Sequence, residues 1–271
     1  MRDRYPGRIV CLTEETTETL YLLGEQDRIV GISGFTVRPP QARKEKPKVS
    51  AFTSAKIGRI IELKPDLVLG FSDLQADIAA ELIRAGIEVH VFNHRSVEEI
   101  LNMIVQLGAL VGAGQKALDW VSAWEQHRDQ LLSTLPGPGL RPRVYFEEWD
   151  DPIITGIRWV SELITLAGGI EVFPEHAVES LGKNRILADP CEVVRRAPDI
   201  ILGSWCGKKF RPEKVAARAG WDAIPAVRDQ QVFEIKSATI LQPGPAALGD
   251  GLDELVRIIN HWHMLKGAKT Q

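Results

Sequence analysis

The chain has 271 residues, 33 Lys and Arg against 36 Asp and Glu, a formal charge of −3 and 44% hydrophobic residues. That is enough apolar material to bury a core without disulfide or metal staples, in one large domain or in two lobes. The interspersed, nearly balanced charge excludes the basic footprint of a nucleic-acid binder, and no segment reaches the length of an apolar membrane span. Cys11, Cys191 and Cys206 are odd in number, far apart and outside any CxxC or zinc spacing, which argues against a disulfide framework and for a reducing compartment. MRDRYPGRIVCL carries no apolar leader before its first strand-like run. The chain as written is therefore expected in the cytoplasm, or in the periplasm if the true start lies upstream.

In chain order, the apolar runs RIVCL, RIVGIS, DLVLGF and EVHVF alternate with helical patterns such as residues 57–64. This is the βαβα signature of an α/β lobe with a mostly parallel sheet. TEETTE follows the first strand and enters a helix, with Glu14 and Glu15 in its first turn, where a carboxylate meets the positive end of the helix dipole. RPPQARKEKPK, 38–48, reads as an exposed connection. Ser96 and Glu99 stand in capping-box spacing before ILNMIVQLGALVG. Between 114 and 136, apolar Ala117, Val121, Trp124, Leu131 and Leu135 recur at helical steps. They predict a single helix of roughly 30 Å, ended by the PGPG at 136–139. Strand signals resume in RVYFEEW, DIILGSW and QVFEI.

The second half repeats the first. Pro65, Asp66 and Gly70 recur as Pro198, Asp199 and Gly203 at a constant offset of 133 residues, each set reading helix, Pro-Asp, apolar run, Gly. The expected architecture is two Rossmann-like α/β lobes with parallel central sheets, residues 1–112 and 137–271, bridged by one long helix over 113–136.

In such sheets ligands meet the loops at the carboxyl ends of the strands, and two facing lobes would line one cleft. The candidate loops are TEETTE, SGFTVRPP, FSDLQ and FNHR, then EEWDDPIITGIRW, GSWCGKK and SATILQPGP. Phe35, Phe71, Trp149, Trp159 and Trp205 are the aromatic candidates, suited to a large, flat, partly apolar ligand. Thr13, Glu14, Thr36, Arg38, Ser72 and Arg185 are the polar candidates. EEWDD is the most acidic cluster, but strand alternation sends Glu147 and Glu148 to opposite faces, away from a shared reaction centre. Of six His only His94 falls in a candidate loop, and HExxH, Walker and GxSxG patterns are absent. GAGQKA, 112–117, follows a helix rather than a strand, which removes the mechanism of a dinucleotide fingerprint. No catalytic residue, metal set or required cofactor is expected.

RIVCLTEETTETLYLLGEQDRIVGIS, then PPQ, VSAF, RIIELKPDLVLG, SELITLAGG and the late PGP, in that order, resemble the helical-backbone class of substrate-binding proteins. These serve ABC importers of cobalamin, haem and ferric siderophores, and the likeness is nearest the cobalamin-binding subgroup. It covers nearly the whole chain. The resemblance implies two lobes that close a little on a cobalt corrinoid, a tetrapyrrole or a siderophore-like solute. It adds Phe52 and Gln242 to the ligand-binding candidates. Phe35 stands where cobalamin binders carry Tyr, Phe52 and Phe71 where they carry Trp, Arg185 where an aromatic is expected, and Gln242 where the late motif begins with Arg. Gly58 and Cys191 occupy the two positions where importer-linked members present permease-docking acids, with Glu62 and Glu192 nearby. Loss of those charges weakens docking, so a binder that does not deliver to an ABC permease is expected. A cytoplasmic enzyme or cofactor-handling protein reusing the fold, and an ordinary periplasmic importer component with a mis-called start, stay open beside it.

Overall fold

The computed structural model describes residues 4–137 and 139–268. Two compact units emerge. The first runs to His94 and takes in Glu98–Trp124 and Gln242–Ala246; the second comprises Arg95–Val97, Glu125–Leu241 and the chain from Ala247 onward. The division falls inside the helix Gly114–Leu132, which is shorter than the sequence pattern predicts: residues 133–135 leave it as a turn. Pro138 of the PGPG lies outside the described residues.

In the first unit β1 (Ile9–Cys11), β2 (Ile29–Ser33), β3 (Lys48–Ser50), β4 (Leu67–Phe71) and β5 (Val89–Phe92) form one sheet in the order β3-β2-β1-β4-β5. Every pairing is parallel. A parallel sheet is covered on both faces, and its central strands are accordingly continuous apolar runs rather than alternating ones. IVC and LVLGF are buried at every position. Val10, Leu12, Val49 and Val68 pack with Ile60, Ile78 and Leu82 from the covering helices.

The second unit contains β6 (Arg143–Asp150), β7 (Ile153–Thr155), β8 (Ile170–Glu171), β9 (Ile200–Gly203) and β10 (Val232–Glu234), ordered β10-β9-β6-β7 with β8 also on β6. Its β6, β8, β9 and β10 pair in parallel, but β7 turns back antiparallel on β6. EEWDDPIITGIRW is therefore no loop. Its first half completes β6, Ile153–Thr155 is β7, and Arg158 opens the helix Arg158–Leu166. The short apolar run IIT, too brief to stand out beside the acids, is what carries the hairpin. The core of this unit is aromatic: Tyr145, Phe173, Trp205, Phe210 and Trp221 cluster around Val193 and Ile201.

Two further expectations change. RPPQARKEKPK holds a helix, Pro40–Glu45, begun by a proline at its first position and anchored by buried Ala42. Residues 57–64 are helical only over Ile57–Glu62. The helix after Ser96 starts at Val97, whose N–H donates to the Glu162 carboxylate at 2.7 Å.

Candidate functional site

The five parallel strands of the first unit deliver their carboxyl ends to one edge of the sheet. Thr13 follows β1, Phe35 and Thr36 follow β2, Phe52 follows β3, Ser72 follows β4 and His94 follows β5. Backbone bonds tie these loops together: Gly34 N–H donates to Ser50 O at 2.7 Å, and Ser72 N–H to Phe92 O at 2.7 Å. Gln75 is a strut between two of them. Its Oε1 accepts from Phe71 N–H and its Nε2 donates to Phe52 O, each at 2.9 Å.

An aromatic row runs along this edge. Phe52 and Phe71 have centroids 6.4 Å apart, and Phe71 meets His94 at 4.9 Å with the rings at 63°. Such edge-to-face geometry is favourable between aromatic rings. Phe71 ends β4 rather than opening a loop, and is buried. Phe35 is 55% exposed, and Val37 on the same loop and Leu74 on the loop after β4 are exposed as well. An apolar surface of this kind at the ends of parallel strands is what a bulky, partly apolar ligand requires.

Most polar candidates of this unit are engaged by neighbours in the same unit. Thr13 Oγ1 donates to Glu15 Oε1 at 2.5 Å, Arg38 pairs with Glu18 at 2.9 Å, and Ser72 Oγ accepts from Leu74 N–H at 3.2 Å. Thr36 is fully buried, with no hydrogen-bond partner for its hydroxyl among the described residues. Glu14 and Glu15 open the helix Glu14–Leu22 as first-turn acids, but both are buried. Desolvation by burial outweighs the helix dipole: it raises the Glu14 carboxyl above its ordinary range and pushes Glu15 up to about 8.

The cover over Glu15 comes from far along the chain. A Cβ on Gly244 would lie 2.7 Å from the Glu15 Cβ, Pro243 O sits 2.7 Å from His94 Nε2, and Ala246 N–H donates to Glu18 at 3.3 Å. Gln242, half-buried, begins this segment and its carbonyl accepts from Gly244 N–H. The sequence reading included Gln242 but missed Pro243 and Gly244; the signal was the PGP itself, a rigid turn whose glycine admits close approach.

In the second unit the carboxyl ends of β6 and β9 bring Trp149, Asp150 and Trp205 together. Glu147 is completely buried and holds this edge. Its carboxylate accepts two bonds from Arg218 at 2.6 and 2.9 Å, one from Tyr145 Oη at 3.0 Å and one from Trp205 Nε1 at 3.0 Å. Glu148 lies on the other face and pairs with Arg185 at 2.5 Å. Arg185, a candidate ligand contact, is a buried strut whose guanidinium also bonds Thr155 O.

Trp159 and Trp205, aromatic candidates for the cleft walls, are buried. Trp159 is the second residue of a helix and its Nε1 donates to Ile240 O at 2.9 Å. Trp205 belongs to the aromatic core and meets Phe210 at 4.8 Å. Trp149 is the tryptophan left half-buried at this edge, with Lys208 beside it. The sequence flagged no role for Lys208, because a lysine in GSWCGKK has no spacing that distinguishes it from a solvated charge. Among the described residues no group of three or more His, Cys, Asp or Glu is gathered as a metal set would be. No helix among them is long and apolar enough to cross a membrane.

Comparison with known proteins gives the same architecture. The family model described as periplasmic binding protein matches residues 9–239. A vitamin B12-binding protein of Vibrio parahaemolyticus is 26% identical over 275 residues, covering 96% of this chain and 90% of its own. The periplasmic vitamin B12-binding protein of Vibrio cholerae superposes with a TM-score of 0.75 at 23% identity, over 95% of this chain and 98% of its own. The periplasmic haem-binding protein of Roseiflexus sp. RS-1 superposes with a TM-score of 0.79 at 21% identity, over 94% of this chain and 98% of its own. At these identities the superpositions establish the fold.

Proposed function

Because this chain belongs to the periplasmic binding protein family, we propose that it is a solute-binding protein whose ligand is a corrinoid or a comparable tetrapyrrole. The observation that carries the reading is the aromatic row Phe52, Phe71 and His94 at the carboxyl edge of the first sheet, with exposed Phe35 and Val37 on the β2 loop of the same edge. A flat, bulky, partly apolar solute gains its affinity by burying such a surface and its orientation from the few polar groups around it. Relatives named for vitamin B12 binding and haem binding support this ligand class.

Catalysis is not part of the proposal. Three of the four carboxylates of EEWDD are engaged: Glu147 by Arg218, Glu148 by Arg185 and Asp150 by Lys208. An ABC permease is proposed as partner on family membership. Gly58 and Cys191 are exposed but carry no acid, and Glu62 and Glu192 beside them are engaged by Arg59 and by Arg195 and Arg196. Docking is therefore proposed to use other groups. Two relatives are described as periplasmic, which supports a location outside the cytoplasm and gives no support to the cytoplasmic expectation.

Native mass spectrometry of the protein purified from its own host, followed by titration with cobalamin, cobinamide and haem, tests the reading. A copurified tetrapyrrole, or saturable binding of one of the three, is expected. Failure of all three with no copurified ligand removes it.

A further inference from the structure

In the second unit the rings of Trp149 and Trp205 and the carboxylate of Asp150 hold one cation, the ammonium of Lys208. Its Nζ lies 2.7 and 2.6 Å from the two Asp150 oxygens, and 5.3 and 5.2 Å from the Trp149 and Trp205 ring centroids. A cation within about 6 Å of an aromatic centroid is attracted by the ring's quadrupole. Two such faces and an acid around one point make a cage for a positive charge.

The walls of this cage are fixed without the lysine. Trp149 Nε1 donates to Asp151 O at 2.9 Å. Trp205 Nε1 donates to Glu147, which two bonds from Arg218 clamp in turn. Trp205 also belongs to the packed aromatic core, so its ring keeps its place when the lysine departs. The loosest member is the occupant itself. The Lys208 side chain is 42% exposed against 13% for Asp150, and its loop turns at Gly207, whose φ is 70°. A flexible four-carbon stem on such a loop can swing out while the walls stay. Asp150, 13% exposed beneath the lysine, keeps only the longer-range attraction of Arg218 when the lysine departs, and a second cation seated in the cage restores the close pairing.

We propose that Trp149, Trp205 and Asp150 form a binding site for an organic ammonium group, primary or quaternary, on a small solute. Lys208 fills this site when that solute is absent and competes with it as a tethered occupant. The tether gives the lysine an effective concentration in the millimolar range, so the free solute binds more weakly while the lysine is present. The inference goes beyond the tetrapyrrole reading and does not rest on it, because every member of the cage belongs to the second unit and the chemistry recognised is a cation.

The test titrates wild type and Lys208→Ala with tetramethylammonium chloride against sodium chloride at matched ionic strength, read by tryptophan fluorescence and calorimetry. Lys208→Ala should give a saturable response specific to tetramethylammonium. The wild type should bind at least tenfold more weakly, and Trp149→Ala added to Lys208→Ala should abolish the response while circular dichroism shows a folded chain. If Lys208→Ala does not fold, Lys208→Gln keeps the stem, removes the charge and should give the same result. No saturable response in a folded lysine variant, or equal affinity in wild type and variant, overturns the proposal. Absorbance titrations of the same proteins with cobalamin and haem report on the tetrapyrrole reading separately, so either idea can fail alone.

Discussion

Asp66 and Asp199, 133 residues apart, make the same contact in their two units. Each stands just before a strand and accepts from the backbone of an arginine at the start of the neighbouring one: Asp66 from the N–H of Arg8, just before β1, and Asp199 from the N–H of Arg143, first of β6, both at 2.9 Å. Each also donates its own N–H back to that arginine's carbonyl, at 2.9 and 2.8 Å. The arginines return the favour symmetrically, Arg8 to Leu63 O at 2.6 Å and Arg143 to Arg196 O at 2.8 Å. The residue before each Pro-Asp, Lys64 and Ala197, is forced into the left-handed region at φ 47° and 44°.

That strain is removable. An L-residue in the left-handed region costs about 1–2 kcal/mol, against roughly 0.5–1 kcal/mol for the extra chain entropy of glycine. Ala197→Gly and Lys64→Gly should each raise stability, by about 0.5 kcal/mol in urea titration. Ala→Gly at Ala117, inside a helix, should lower it by about 1 kcal/mol.

Glu15 sets a pH dependence. Burial pushes its carboxyl up to about 8 from an ordinary 4.5, and burial likewise pushes Glu171 up to about 7. The folded chain thus holds protons that the unfolded chain has released. The stabilising contribution is complete below about 4.5 and is lost as pH rises through the folded value. The thermal midpoint should fall between pH 5 and 8.5. Glu15→Gln should flatten that fall, gaining on the wild type as pH rises, and a parallel pH profile for the variant would refute the assignment.

Gly203 ends β9 beneath the ring of Phe210, and a Cβ there would stand 1.8 Å from the ring edge. Gly203→Ala should cost about 1–3 kcal/mol by overpacking. Gly203→Ala combined with Phe210→Leu should recover part of that loss in the same unfolding measurement.

The buried Glu147 carboxylate joins Arg218, Tyr145 and Trp205. Removing one partner of a buried ion pair strands the other, at about 3–5 kcal/mol. Glu147→Ala should destabilise the protein by that order and shift the tryptophan emission, since Trp205 loses its hydrogen bond.

The repeated Pro-Asp turns and the parallel β1, β2, β4 and β5 were legible because a doubly covered sheet writes itself as apolar runs between turn residues; β3, the three residues KVS at the end of a charged stretch, was not. The hairpin of β6 and β7 was not, since IIT is short and follows a polar stretch. The burial of Trp159 and Trp205 was hidden for a different reason: both stand near strand ends, but Ile240 O and Glu147 draw their indole N–H groups inward. The PGP turn signals a close approach at Gly244, but no local pattern identifies Glu15, 229 residues away in sequence, as what it covers.

The most direct test of the solute-binding account is an absorbance-detected titration of wild type and Phe35→Ala with cobalamin, cobinamide and haem. Phe35 is exposed, so its loss should leave the fold intact. The account predicts saturable one-to-one binding of at least one of these to the wild type, weakened about tenfold or more in Phe35→Ala with an unchanged melting midpoint. No binding of any of the three, or equal affinity in both proteins, would contradict it.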